Sequence, residues 1–212
     1  MSCKNSSISN NSICAIKAAN IAISDFSAFI ASVTTFLYSA LIDSNIVSFG
    51  AGATPASGIM VQTVTSNAAN YYKILSNKVY LPGGTAANPG LNSNGYYGGI
   101  SCYNNNSGTI VLTTNSTVAN NMVTIGGANL SYGIVANWGP YMNYYYNSIL
   151  VTNTNTSSGG FYLMAYTPAA SINVQNNSAY NIGGGYAYMI YSGYAATTYW
   201  GTVNNNNWIS TG

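Results

Sequence analysis

The chain has 212 residues and six charged side chains, Lys4, Lys17, Asp25, Asp43, Lys73 and Lys78, for a formal charge of +2 with no Arg, Glu or His. That balance excludes a phosphate-neutralising surface for nucleic acid and leaves general acid–base chemistry almost without groups. With 48% hydrophobic residues, 20 Tyr and 3 Trp, it also excludes the composition of disorder, so a core is expected.

Residues 1–12 read as a polar arm. From there Ile16, Ile23, Ile30 and Leu37 recur every seven residues, and Ala19, Phe26, Val33 and Ala40 follow each by three. That is the a/d pattern of an amphipathic helix, and it predicts one long helix over 13–44 that packs on a neighbouring domain or oligomerises. Asp25 and Asp43 bound 17 uncharged residues, the lower limit for spanning a bilayer, but Ser27, Ser32, Thr34, Thr35 and Ser39 weaken any membrane contact by this helix.

Residues 45–58, centred on Gly50-Ala51-Gly52-Ala53-Thr54-Pro55, read as a hinge, after which the period changes to two. Strands are expected near 59–65, 71–75, 78–81, 96–103, 108–114, 121–126, 132–136, 141–151, 160–166, 171–175, 186–191 and 197–203. Turn chemistry separates them at Pro82-Gly83-Gly84, Asn94-Gly95, Gly126-Gly127, Gly159-Gly160 and Gly183-Gly184-Gly185. Many short strands at this spacing predict an antiparallel β-sandwich or jelly roll over 59–212, preceded by the N-terminal α-helix. The alternative is a short right-handed parallel β-helix. Ser148-Ile149-Leu150-Val151 and Ser171-Ile172-Asn173-Val174 open similar stretches, and Met122-Val123-Thr124-Ile125 opens a looser third, a period in the twenties. The length of the run 141–151 counts against that alternative.

From Val79 to Gly212, 134 residues carry no Asp, Glu, Lys, Arg or His. A Ser or Cys nucleophile there has no base. Asp25 and Asp43 fall at opposite ends of the expected helix, too far apart for a carboxylate pair. Cys3, Cys14 and Cys102 have no C-x2-C spacing for zinc, and calcium would lack carboxylates. The expectation is a chain with no catalytic, cofactor or metal site. An odd number of cysteines leaves at least one free or joined to another chain, and Cys3, Cys14 and Cys102 are candidates for an arm or intersubunit disulfide. N-x-[ST] triplets make Asn5, Asn10, Asn105, Asn115, Asn129, Asn155 and Asn176 candidate glycan acceptors.

Acid unfolds proteins mainly through carboxylates and His. A chain so poor in both is expected to keep its stability nearly constant through the acid range, a property that suits an extracellular setting. Lys4 is followed by the polar Asn5–Ser12 rather than an apolar stretch, so no secretory signal is read. Low charge, with Asn, Ser, Thr and Tyr in excess, resembles the composition of external structural proteins of thermoacidophilic archaea and their viruses. The resemblance covers the whole chain, rests on no motif and transfers no site residues. It implies a non-enzymatic, self-assembling subunit of an extracellular particle: a viral coat, spike or fibre protein on the virion surface. Its partners are expected to be copies of itself, other coat proteins or glycans. The alternatives are a cellular surface filament or pilus subunit, and a glycan-binding module using Trp138, Trp200, Trp208 and clustered Tyr with Asn.

Overall fold

The computed structural model describes residues 14–17, 20–22, 28–33, 40–63, 71–87, 97–104, 115–137, 141–164, 172–190 and 200–211. Every regular element among them is a β-strand, and every strand pair is parallel. Sheet one stacks β1 (Cys14–Lys17), β4 (Ala40–Asp43), β7 (Tyr72–Leu75), β10 (Ser116–Ala119), β13 (Met142–Tyr145), β16 (Ile172–Gln175) and β19 (Trp200–Asn204). Sheet two stacks β2 (Asn20–Ala22), β5 (Ile46–Ser48), β8 (Lys78–Leu81), β11 (Met122–Ile125), β14 (Ser148–Val151), β17 (Ser178–Asn181) and β20 (Asn207–Ser210). Sheet three stacks β3 (Ala28–Val33), β6 (Ser57–Thr63), β9 (Gly98–Asn104), β12 (Tyr132–Asn137), β15 (Gly159–Met164) and β18 (Tyr186–Ile190). The chain visits the sheets in turn and lays each rung on the last, which is a β-solenoid.

Alternation along each strand fills the interior in columns, because each residue sits on its register partner in the next rung. Ile42, Ile74, Val118, Tyr144 and Val174 form one column from sheet one. Val47, Val79, Val123, Ile149 and Ala179 form another from sheet two, and Ile59, Ile100, Ile134 and Phe161 a third from sheet three. At the last rung Trp208 stacks on Tyr188 (4.9 Å between centroids) and meets Phe161 edge-on (5.3 Å), so aromatic rings close that end of the core.

Where sheets two and three converge, the wall is made of glycine. Gly58, Gly99, Gly133 and Gly160 occupy successive rungs, and a Cβ on them would collide with Val79, Val123, Ile149 and Ala179 respectively.

The antiparallel sandwich and the N-terminal helix are therefore both overturned. Ile16 lies in β1, Ile30 and Val33 in β3, and Ala40 in β4; Ala19, Ile23, Phe26 and Leu37 lie outside the described residues. The seven-residue recurrence reads equally as apolar positions in short strands separated by brief connections. Ile, Val, Phe, Ser and Thr lose side-chain freedom or compete for backbone bonds in a helix but suit a pleated surface. Long-range pairing of β1 with β4 and β3 with β6 decides between the two. The expected hinge over 45–58 takes in β5 and the first two residues of β6 as well as the connection between them. The parallel alternative has the right strand direction, but its rungs are unequal: successive equivalent residues are separated by 26 positions at Asn121 and Asn147 and by 44 at Tyr72 and Ser116. Unequal rungs hide a period from any fixed-length comparison.

Candidate functional site

The strongest constellation in the molecule is the corner between sheets one and two. In six consecutive rungs it is two residues long: Ser44-Asn45, Ser76-Asn77, Asn120-Asn121, Tyr146-Asn147, Asn176-Asn177 and Asn205-Asn206. The first of each pair has a left-handed backbone, with φ between 53° and 58°. Ser and Asn reach that region more easily than most residues, because a short polar side chain can bond locally.

The second of each pair turns its amide inward and joins a column. The Nδ2–H groups of Asn45, Asn77, Asn121, Asn147 and Asn177 donate to Oδ1 of the next rung at 2.9–3.0 Å. The backbone N–H of the same residue donates to that same Oδ1 at 2.9–3.1 Å. The other Nδ2–H reaches back to a strand carbonyl, as from Asn77 to Ile42 (3.0 Å), Asn121 to Ile74 (2.9 Å) and Asn147 to Val118 (2.9 Å). Five of these side chains are at most 1% exposed. A buried polar group is tolerated when its donors and acceptors are matched, and here amides do so without a charge.

A shorter hydroxyl column lines the connection from sheet two to sheet three. Thr85 Oγ1 and Ser131 Oγ are 2.9 Å apart, the Ser131 N–H donates to Ser158 Oγ (3.0 Å), and Ser158 Oγ donates to Asn153 Oδ1 (3.0 Å).

The outer faces differ. Sheet three is covered over its middle: Tyr132, Val135, Tyr162 and Met164 form a second buried cluster, with Tyr132 stacked on Tyr162 at 4.6 Å. Sheet two is open and exposes Ile46, Tyr80, Met122, Tyr180 and Ile209, with Lys78 as its one described charge. Sheet one presents Thr117, Asn143 and Asn173, the last donating from Nδ2 to Asn143 Oδ1 at 2.9 Å.

Inside, Tyr72, Met142, Tyr144 and Cys102 cluster. The Tyr72 hydroxyl donates to Met142 Sδ (3.3 Å), whereas the buried Tyr144 hydroxyl has no hydrogen bond. Burial pushes the Cys102 thiol up to about 12, and burial, then the neighbouring Cys102, raises both phenols well above their ordinary value. These groups are neutral and inert at neutral pH.

The sequence-predicted residues scatter across this frame. Cys102 is free and buried in β9, Cys14 lies in β1, and Cys3 lies outside the described residues. Among the candidate glycan acceptors, Asn115 donates its amide to Asn143 Oδ1 (3.0 Å), and Asn129 to the Thr85 carbonyl (3.0 Å). Asn155 accepts the Ser157 N–H (3.0 Å), and Asn176 is a left-handed corner residue. Asn5, Asn10 and Asn105 lie outside the described residues. Among the described residues no group of three His, Cys, Asp or Glu could hold a metal, and no helix is long and apolar enough to cross a membrane.

No family model, curated protein or solved structure matches the chain.

Sequence reasoning missed the amide column, although it leaves a signal. Each inward Asn is followed two residues later by the inward residue of sheet two: Val47, Val79, Val123, Ile149, Ala179 and Trp208. Four residues later comes Phe49, Leu81, Ile125, Val151 or Asn181. Asn-x-apolar-x-apolar, searched without a fixed period, finds the four rungs that begin at Asn45, Asn77, Asn121 and Asn147.

Proposed function

We propose that the chain is a non-enzymatic structural subunit of an extracellular assembly, a coat, spike or fibre protein of an acid-exposed particle, and that its principal partner is itself. One observation carries this reading: beyond Lys78 no described residue is charged, yet Tyr80, Met122, Tyr146, Tyr180, Tyr186 and Ile209 stand exposed. Soluble monomers rarely leave such patches uncovered, and near-zero net charge favours association. A solenoid held by neutral amides and hydroxyls also has little in it that acid can protonate.

The test is light scattering and negative-stain microscopy of the purified chain at pH 3 and pH 7. Assemblies of many copies with the same form at both values are expected. A monomer at both, at all accessible concentrations, would sink the reading.

No observation favours the cellular filament or pilus alternative over this reading. The glycan-binding alternative is weakened, since Trp200 and Trp208 pack against the core rather than standing as platforms; Trp138 lies outside the described residues.

A further inference from the structure

We propose that copies of this chain associate head to tail, the outer edge of β19 and β20 of one copy pairing with β1 and β2 of the next in continuous parallel register. The inference rests on the self-assembly reading above and specifies which surface performs it.

Among the described residues, β18, β19 and β20 close one end of the three sheets and β1, β2 and β3 the other. An end strand presents a row of unpaired N–H and C=O groups, which proteins normally protect with charge, Pro or a covering element. The strands Tyr186–Ile190, Trp200–Asn204 and Asn207–Ser210 contain neither a charged residue nor Pro, and Val203 and Ile209 are exposed. Aromatic rings plug the core at this end without covering the strand edges. The same rung holds the Trp200 indole N–H, buried without an acceptor.

What selects a second copy over an unrelated strand is the corner. Strand, two residues, strand is the pattern of every step between sheets one and two, from β1 and β2 through to β19 and β20. The first rung of another copy therefore offers strands of similar length across the same two-residue step, β1 of four residues and β2 of three against β19 of five and β20 of four. Ala18 and Ala19, which lie between β1 and β2 in the sequence and outside the described residues, offer no side-chain amide to extend the Asn column. The junction is thus weaker than an internal rung, and the association is expected to be reversible with concentration. A heterologous contact that does not close on itself gives an open filament. Seven strands in each of sheets one and two, at the usual inter-strand spacing, set its axial repeat at about 34 Å per copy.

The experiment compares the unaltered chain with Val203→Lys at the end rung, on the register partner of the buried Val174, and with Tyr80→Lys/Met122→Lys on the face of sheet two. Light scattering and electron microscopy read the assembly, and circular dichroism checks that each variant keeps its strands. The expected result is filaments one solenoid thick with a repeat of about 34 Å. The end-rung variant should raise the concentration needed for assembly at least tenfold, and the face variant should leave it within about twofold. Assembly lost in the face variant and kept in the end-rung variant overturns the head-to-tail contact but leaves self-assembly standing. A wild-type chain that stays monomeric overturns both.

Discussion

Each rung turns from sheet one to sheet two and again from sheet two to sheet three, and the two turns are built on opposite principles. The first is two residues long, and in the six described corners it carries a left-handed residue and an inward Asn. The second varies from residues 182–185 to residues 82–97. A column of amides, each bonded to the amide of the next rung, tolerates no insertion, because one extra residue breaks the chain of donors above and below. The glycine wall at the second turn constrains side-chain volume instead, and leaves loop length free. The first corner therefore fixes register, whereas the second fixes how closely two sheets approach.

Removing one amide from the middle of the column tests this contrast most severely. Asn121 accepts from the N–H and Nδ2–H of Asn77 and donates to Ile74, Ala119 and Asn147. Asn121→Ala leaves several buried groups without partners in a rung that cannot admit water easily. Each such group costs about 1–3 kcal/mol, so a loss of about 3–5 kcal/mol in urea unfolding is expected. A loss below about 1 kcal/mol would reduce the corner to an ordinary turn.

The second corner should respond to volume rather than polarity. A Cβ at Gly133 meets the Ile149 side chain and the Gly160 carbonyl, whereas one at Gly50 meets nothing within 4 Å. Gly133→Ala is expected to cost about 1–3 kcal/mol as overpacking, and Gly50→Ala to stay within about 0.5 kcal/mol as a surface change. Equal effects at the two sites would mean that the sheets do not converge at the glycine column.

This contrast explains what was legible in the sequence. Lys78–Leu81 was read with its observed bounds, and strands at 72–75, 122–125, 132–137 and 172–175 within a residue or two, because alternation is local. Ser116–Ala119, Ser178–Asn181 and Asn207–Ser210 were missed because each has few apolar residues and relies on its neighbours in the stack. The run 141–151 was taken for one strand because Tyr146-Asn147 contains no Gly or Pro, yet it is a corner separating β13 from β14. Strand partners are not legible, and strand direction only as the parallel alternative, because both depend on pairings between rungs up to 44 residues apart. The scarcity of ionisable groups was legible at once, but the arrangement that replaces them is a product of stacking.

That replacement makes alkali the vulnerable side. Cys102, pushed up by burial from 9.0 to about 12, and the buried Tyr72 and Tyr144, raised from 10.0, stay protonated in the fold. Below the unfolded values both states hold the same protons and stability is flat. Above them the unfolded chain releases protons that the fold retains, so stability falls by about 1.4 kcal/mol per pH unit for each group until its folded pKa is reached. The decline should begin near pH 9, the ordinary value of the thiol. In Cys102→Ala it should begin near pH 10, where the tyrosines take over. The two profiles, each normalised to its own value at pH 7, should then differ by about 1.4 kcal/mol at pH 10. A decline on the acid side between pH 7 and pH 3, larger than this alkaline difference, would contradict the account of neutral cohesion.

The smallest expected effect isolates the first residue of the constant corner. Ser or Asn occupies it in five of the six described rungs, and Tyr146 in the sixth, with φ at 55° and 59% of its surface exposed. A bulky residue in the left-handed region is strained, and so much exposure leaves little packing to compensate. Tyr146→Asn should therefore stabilise the chain by about 0.5–1 kcal/mol, read as a rise in the urea midpoint at unchanged slope. A destabilised variant would show that the ring packs on the corner after all. If the variant is more stable but assembles less readily, Tyr146 contributes at a contact between copies what it costs within one, and the exception in an otherwise constant corner marks a surface kept for association.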